Sequence, residues 1–90
     1  MRYEWDEAKR IRTLLKRGVD FTDAEKFQWQ TAKIIVDERR EYTEQRFVAT
    51  GFIEGRLHVM AFTMRSSAIR IISLRKANKR EAKNYEETAD

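Results

Sequence analysis

The sequence predicts an α+β domain in which two amino-terminal helices pack on a four-stranded antiparallel sheet and a further helix closes the chain. Three observations predict it. Apolar residues fall at helical spacing only in the first third, the pattern changes to strict alternation from Ala32 onward, and a capping signal stands at Asn78, after the last alternating segment. At 90 residues the chain suits one domain spanning 1–90, with room for one modest core and no second.

Arg2-Tyr3-Glu4-Trp5 reads as a short strand. Asp6 can then cap a helix whose first turn holds Glu7, and Lys16, Arg17 and Gly18 supply a basic last turn and a left-handed stop. Ala8, Ile11, Leu14 and Leu15 predict one buried stripe on this helix. Thr22-Asp23-Ala24-Glu25 has the form of a capping box, which predicts a second short helix through about Gln28, anchored in the core by Phe21, Phe27 and Trp29.

Alternation then predicts strands over 32–38, 46–54, 56–65 and 68–74, joined as a meander. Glu54-Gly55 suits a tight hairpin turn, whereas 39–45 is a polar connection with neither glycine nor proline and is expected to be the more mobile one. The third of these strands is apolar on both faces from Leu57 to Met64 and belongs in the sheet interior. Asn78-Lys79-Arg80-Glu81 can cap a last helix reaching about Glu87. Only Ala82 and Tyr85 would pack there, so weak docking and a frayed end over 88–90 are expected.

Composition narrows the chemistry. The chain has no cysteine and a single histidine, His58, which leaves no thiolate nucleophile and no multi-histidine zinc site. No metal or other cofactor is expected. Neither an apolar run of membrane-spanning length nor a secretory pattern is present, so a cytoplasmic protein without membrane contact is expected. The net charge is +4, and between positions 70 and 83 six cations (Arg70, Arg75, Lys76, Lys79, Arg80, Lys83) face the single anion Glu81. Such a run is either a solvated surface or a phosphate-binding one.

Glu4-Trp5-Asp6 with Lys9, Lys16-Arg17-Gly18-Val19 with Phe21, and Ile69-Arg70-Ile71-Ile72-Ser73-Leu74-Arg75-Lys76-Ala77 with Glu81 and Tyr85 together resemble the BrnT family over nearly the whole chain. The resemblance implies a RelE-like fold and a ribonuclease toxin of a type II toxin-antitoxin system. It also implies a BrnA-like antitoxin carrying a ribbon-helix-helix domain, with operator DNA reached only through that antitoxin. Where relatives often read Lys-His-Gly-Val this chain has Arg17, where they often have an upstream asparagine it has Thr13, and Phe62-Thr63-Met64-Arg65 replaces a strand end that often carries histidine or tyrosine.

Cleaving RNA without a metal requires activation of the 2′-hydroxyl, stabilisation of charge on the phosphoryl oxygens and protonation of the leaving oxygen. Arginine suits the second task through its permanent charge and planar donor fork. Arg65, Arg70 and Arg75, with Lys16, form the candidate catalytic set, and Arg17, Lys76, Lys79 and Arg80 are the candidate RNA contacts. Lys16, Lys76, Glu81 and Tyr85 compete for proton transfer. Ideal alternation places Arg70 and Arg75 on opposite faces, so they share one only if the strand ends or twists first. His58 alternates with Met60, Phe62 and Met64 and reads as a packing residue. A non-catalytic RNA-binding module and an antitoxin-binding protein without toxicity are the alternatives.

Overall fold

In the computed structural model, which describes residues 1–88, strand β1 (Arg2–Glu4) leads into helix α1 (Glu7–Arg17) and two 3₁₀ turns (Phe21–Lys26 and Trp29–Thr31). Strands β2 (Lys33–Val36), β3 (Arg46–Ile53), β4 (Arg56–Arg65) and β5 (Ala68–Lys76) follow, then helix α2 (Lys79–Glu87). The sheet has five strands in the order β1-β5-β4-β3-β2 and not the expected four, because β1 adds parallel to the outer edge of β5. Tyr3 secures that addition: its ring packs on the core, and its hydroxyl accepts a hydrogen bond from Trp29 Nε1 at 2.8 Å. The remaining pairings are antiparallel, and β4 lies at the centre as its two apolar faces require.

One α-helix, not two, precedes the sheet. The Phe21–Lys26 segment is a 3₁₀ helix capped by Asp20, whose carboxylate accepts from the Thr22 N–H at 3.0 Å, so the box expected at Thr22 and Glu25 does not form. Spacing explains the tighter winding. Phe21, Ala24 and Phe27 are buried at intervals of three residues, and three residues per turn aligns them on one line facing the sheet.

Helix α1 begins and ends as its sequence predicts, with Asp6 accepting from the Lys9 N–H and Gly18 at φ 68 donating to the Leu14 carbonyl at 2.9 Å. Its apolar stripe is not buried. Ile11, Leu14 and Leu15 are 44%, 38% and 81% exposed, and no α1 residue enters the core. The helix is held instead at its flanks, where Trp5 and Val19 join the core, and by Arg10, which binds both Glu7 and Asp20.

The main core lies on one face of the sheet, where Phe21 and Phe27 meet Ile53, Met60, Phe62, Ile69, Ile71 and Leu74. Helix α2 covers part of the other face. Ala82 and Tyr85 pack there against Leu57, Val59 and Phe52, and the Tyr85 hydroxyl donates to the Thr31 carbonyl at 2.6 Å. Thr88 is bonded to Asn84 and Lys33, and the rest of the end expected to fray, 89–90, lies outside the described residues. Glu54 and Gly55, at φ 48 and 79, form the predicted hairpin turn.

Candidate functional site

The geometry turns on one irregularity in β5. Ala61 of β4 pairs with Ser73 while its neighbour Phe62 pairs with Ile71, which leaves Ile72 without a partner as a β-bulge. The extra residue resets the alternation. Ile69, Ile71 and Leu74 thereby all reach the core, and Arg70, Ser73 and Arg75 all fall on the opposite face. Arg70 and Arg75 thus share a face without the strand ending between them.

That face forms ordered rows. Glu4, Arg70, Thr63 and Arg46 lie side by side across β1, β5, β4 and β3. One row towards the chain ends of β4 and β1 stand Arg65 and Arg2, each in register with Ala68. In the other direction come Ser73, Ala61 and Val48, and then Arg75, Val59 and Thr50. Four residues of strand separate the Arg70 and Arg75 rows, about 13 Å, so the two arginines do not meet on one phosphate. Arg65 is only about 7 Å along the strand from the Arg70 row.

The basic end therefore gathers Arg2, Arg46, Arg65 and Arg70, with Glu4 as the nearest carboxylate at 3.5 Å from Arg70. The Arg70–Glu4 contact is the cross-sheet pairing that an ordinary structural arginine would make, but it is long and one-third exposed on both sides, and such pairs hold little energy. At the far end Arg75 donates twice to Glu81, at 2.8 and 2.7 Å. Glu81 also accepts from the Asn78 N–H while Asn78 accepts from the Glu81 N–H, so the box that starts α2 also holds the arginine. The guanidinium draws the Glu81 carboxyl down to about 2. A groove of ≈ 450 Å³, with Val48, Val59, Ala61 and Ser73 among its walls, runs beside this pair to Ile35 of β2.

Other candidates stand elsewhere. Lys16 and Arg17 are exposed in the last turn of α1, and the core residues flanking that helix place it on the side of the main core. Lys76 is in register with His58, on the core side, while Lys79 and Arg80 are exposed in the first turn of α2. His58 is 6% exposed, and its Nδ1 donates to the Arg56 carbonyl at 2.7 Å. It lies opposite Gly51, away from the arginines, in the packing role its alternation predicts.

Arg46 and Arg2 are passed over by sequence reasoning because each begins a strand beside polar residues. The available signal was alternation: Arg46 is in phase with Val48 and Thr50. Among the described residues no group of three or more His, Cys, Asp or Glu is arranged to hold a metal, and no helix is long and apolar enough to cross a membrane. No curated protein matches the chain. The family model described as "Ribonuclease toxin, BrnT, of type II toxin-antitoxin system" matches residues 5–81 of the 90. This coverage takes in α1, strands β2 to β5 and the Asn78 box, and the chain belongs to the BrnT family of ribonuclease toxins.

Proposed function

We propose that this toxin cleaves RNA without a metal ion, on the sheet face that carries Arg65, Arg70 and Arg75. The observation that carries the reading is the bulge at Ile72, which turns a strand of mixed facing into one that presents both β5 arginines to the same side. The guanidinium groups stabilise charge building on the phosphoryl oxygens. Their spread along the face suits an extended single strand, with Arg65 and Arg70 near one phosphate and Arg75 near another. Lys79 and Arg80 steer the backbone from the start of α2. Lys16 and Arg17, on the other side of the sheet, have at most a long-range electrostatic part.

The antitoxin is BrnA-like, with a ribbon-helix-helix domain through which the complex reaches operator DNA, and the pair acts in the cytoplasm. Two uncovered apolar surfaces support a protein partner: Ile11, Leu14 and Leu15 on α1, and Ile34, Ile35 and Val36 on the edge strand β2.

The test is expression in a bacterial host with and without the cognate antitoxin. Expression alone arrests growth and co-expression relieves the arrest. Arg65→Ala and Arg70→Ala each relieve toxicity more than Lys83→Ala, which alters an exposed position on α2. Equal modest losses in three folded variants would reduce the arginine face to a general electrostatic surface.

A further inference from the structure

We propose that Arg46 is a phosphate-contacting residue of the RNA site, held in position by Tyr42, and that Arg46 and Arg70 take the RNA backbone between them across Thr63. The proposal rests on the arginine-face reading above and adds to it a residue and a positioning device.

Three observations converge. Arg46, Thr63 and Arg70 occupy one row on adjacent strands, so Arg46 and Arg70 are about 10 Å apart at their Cα atoms, a gap that two long side chains can close over the small threonine. The Thr63 hydroxyl is satisfied by donating to the Gln45 carbonyl at 2.7 Å, and the threonine is buried beneath the row, so it does not compete with the arginines for an anion.

The second observation is how Arg46 is held. Its guanidinium carbon lies 4.2 Å from the centre of the Tyr42 ring, a cation–π stack. The ring is fixed in turn, because the Tyr42 hydroxyl donates to the buried Asp37 carboxylate at 3.1 Å and the Asp37 N–H donates to the Arg46 carbonyl at 2.8 Å. Arg39 neutralises Asp37 with two bonds of 2.9 Å, so the carboxylate anchors the tyrosine and leaves the Arg46 charge uncompensated.

The third is what Arg46 lacks. Arg75 has its fork filled by Glu81 and Arg70 leans on Glu4, but Arg46 forms no ion pair and no side-chain hydrogen bond among the described residues, and its Nε is buried without an acceptor. A guanidinium placed by stacking keeps its full charge and its Nη edge for an outside anion. Arg46 also lines a recess on the loop side, where Glu38 and Glu44 stand with Arg40, and its row on the sheet leads to Arg70.

The experiment measures binding of a labelled, fully 2′-O-methylated RNA, which lacks the attacking hydroxyl, to the full chain over a series of salt concentrations. Arg46→Ala weakens binding about tenfold and lowers the salt slope by about one, as loss of one phosphate contact requires. Arg46→Lys recovers the slope but not the full affinity, since a point charge lacks the planar fork. Tyr42→Leu, which removes the stack and leaves the charge, costs about two- to fivefold. If Arg46→Ala binds like the parent while Arg70→Ala is weakened, Arg46 is a packing residue: the proposal falls and the arginine-face reading stands. If Arg70→Ala and Arg65→Ala also bind like the parent, the face itself is wrong. Should Arg46→Ala fail to fold, Arg46→Gln decides by the same slope.

Discussion

The Arg75–Glu81 pair joins the far end of the groove to the start of α2, and Glu81→Gln separates its two roles. Glutamine can still take the glutamate position of a capping box, so the change removes the charge and spares the cap. Arginine draws the Glu81 carboxyl from 4.5 to about 2, which sets a ceiling of about 3 kcal/mol on the pair. The side chains are 28% and 37% exposed, and solvent screening brings the expected contribution to about 1–2 kcal/mol. A carboxyl whose folded pKa is depressed stabilises fully above its unfolded value and loses that contribution as the pH falls through the folded one. The parent should therefore melt about 4–16 °C above Glu81→Gln at pH 7, a domain of this size shifting about 4–8 °C per kcal/mol. The gap should begin to close below about pH 4.5 and vanish near pH 2. Melting curves by circular dichroism, parent and variant side by side from pH 7 to 2, isolate the pair from carboxylates common to both proteins. A gap that stays constant across this window would trace the loss to the cap and refute the ion-pair account.

Two further outcomes follow from the packing. Gly51→Ala would place a Cβ 2.6 Å from Phe27 Cζ and 3.1 Å from the Ala32 Cβ, and the overpacking should cost about 1–3 kcal/mol in urea denaturation; a cost under about 0.5 kcal/mol would show that Phe27 gives way freely. His58→Ala should lower thermal stability and leave cleavage of a labelled RNA within about tenfold of the parent, with and without a chelator, because loss of a general base typically costs about a hundredfold or more. A folded, inactive variant would make the histidine catalytic, and strict magnesium dependence would overturn the metal-free route.

Features set by neighbouring residues were legible in the sequence. The Asp6 cap, the Gly18 stop, the Glu54-Gly55 turn and the Asn78 box each depend on a few adjacent positions, and each forms as read. The fifth strand was legible as a strand but not as a member of the sheet, since its partner β5 lies more than sixty residues away. Helical spacing on α1 gave the right helix and the wrong surroundings, because amphipathicity shows which face is apolar and not whether this chain covers it. In the Phe21–Lys26 segment the spacing of three at Phe21, Ala24 and Phe27 outweighs the capping residues at Thr22 and Glu25.

The bulge was hidden for a different reason, and it bears most on the site. Ile71 and Ile72 are adjacent and chemically identical, so an extra residue between Arg70 and Arg75 leaves no break in polarity to reveal it. Strict alternation would set Leu74 beside Arg70 and turn Arg75 towards the core beside Ile69 and Ile71; the unpaired Ile72 reverses both placements. The two ends of the resulting face then differ in kind. At one end the Arg75 fork is held by Glu81. At the other, Arg2, Arg46, Arg65 and Arg70 lie on one face in two adjacent rows, with Glu4 paired to Arg70, an excess of positive charge that favours a polyanion. On the reading proposed above, the phosphates of the RNA should lie at this end of the face, where the arginines outnumber their carboxylate partners.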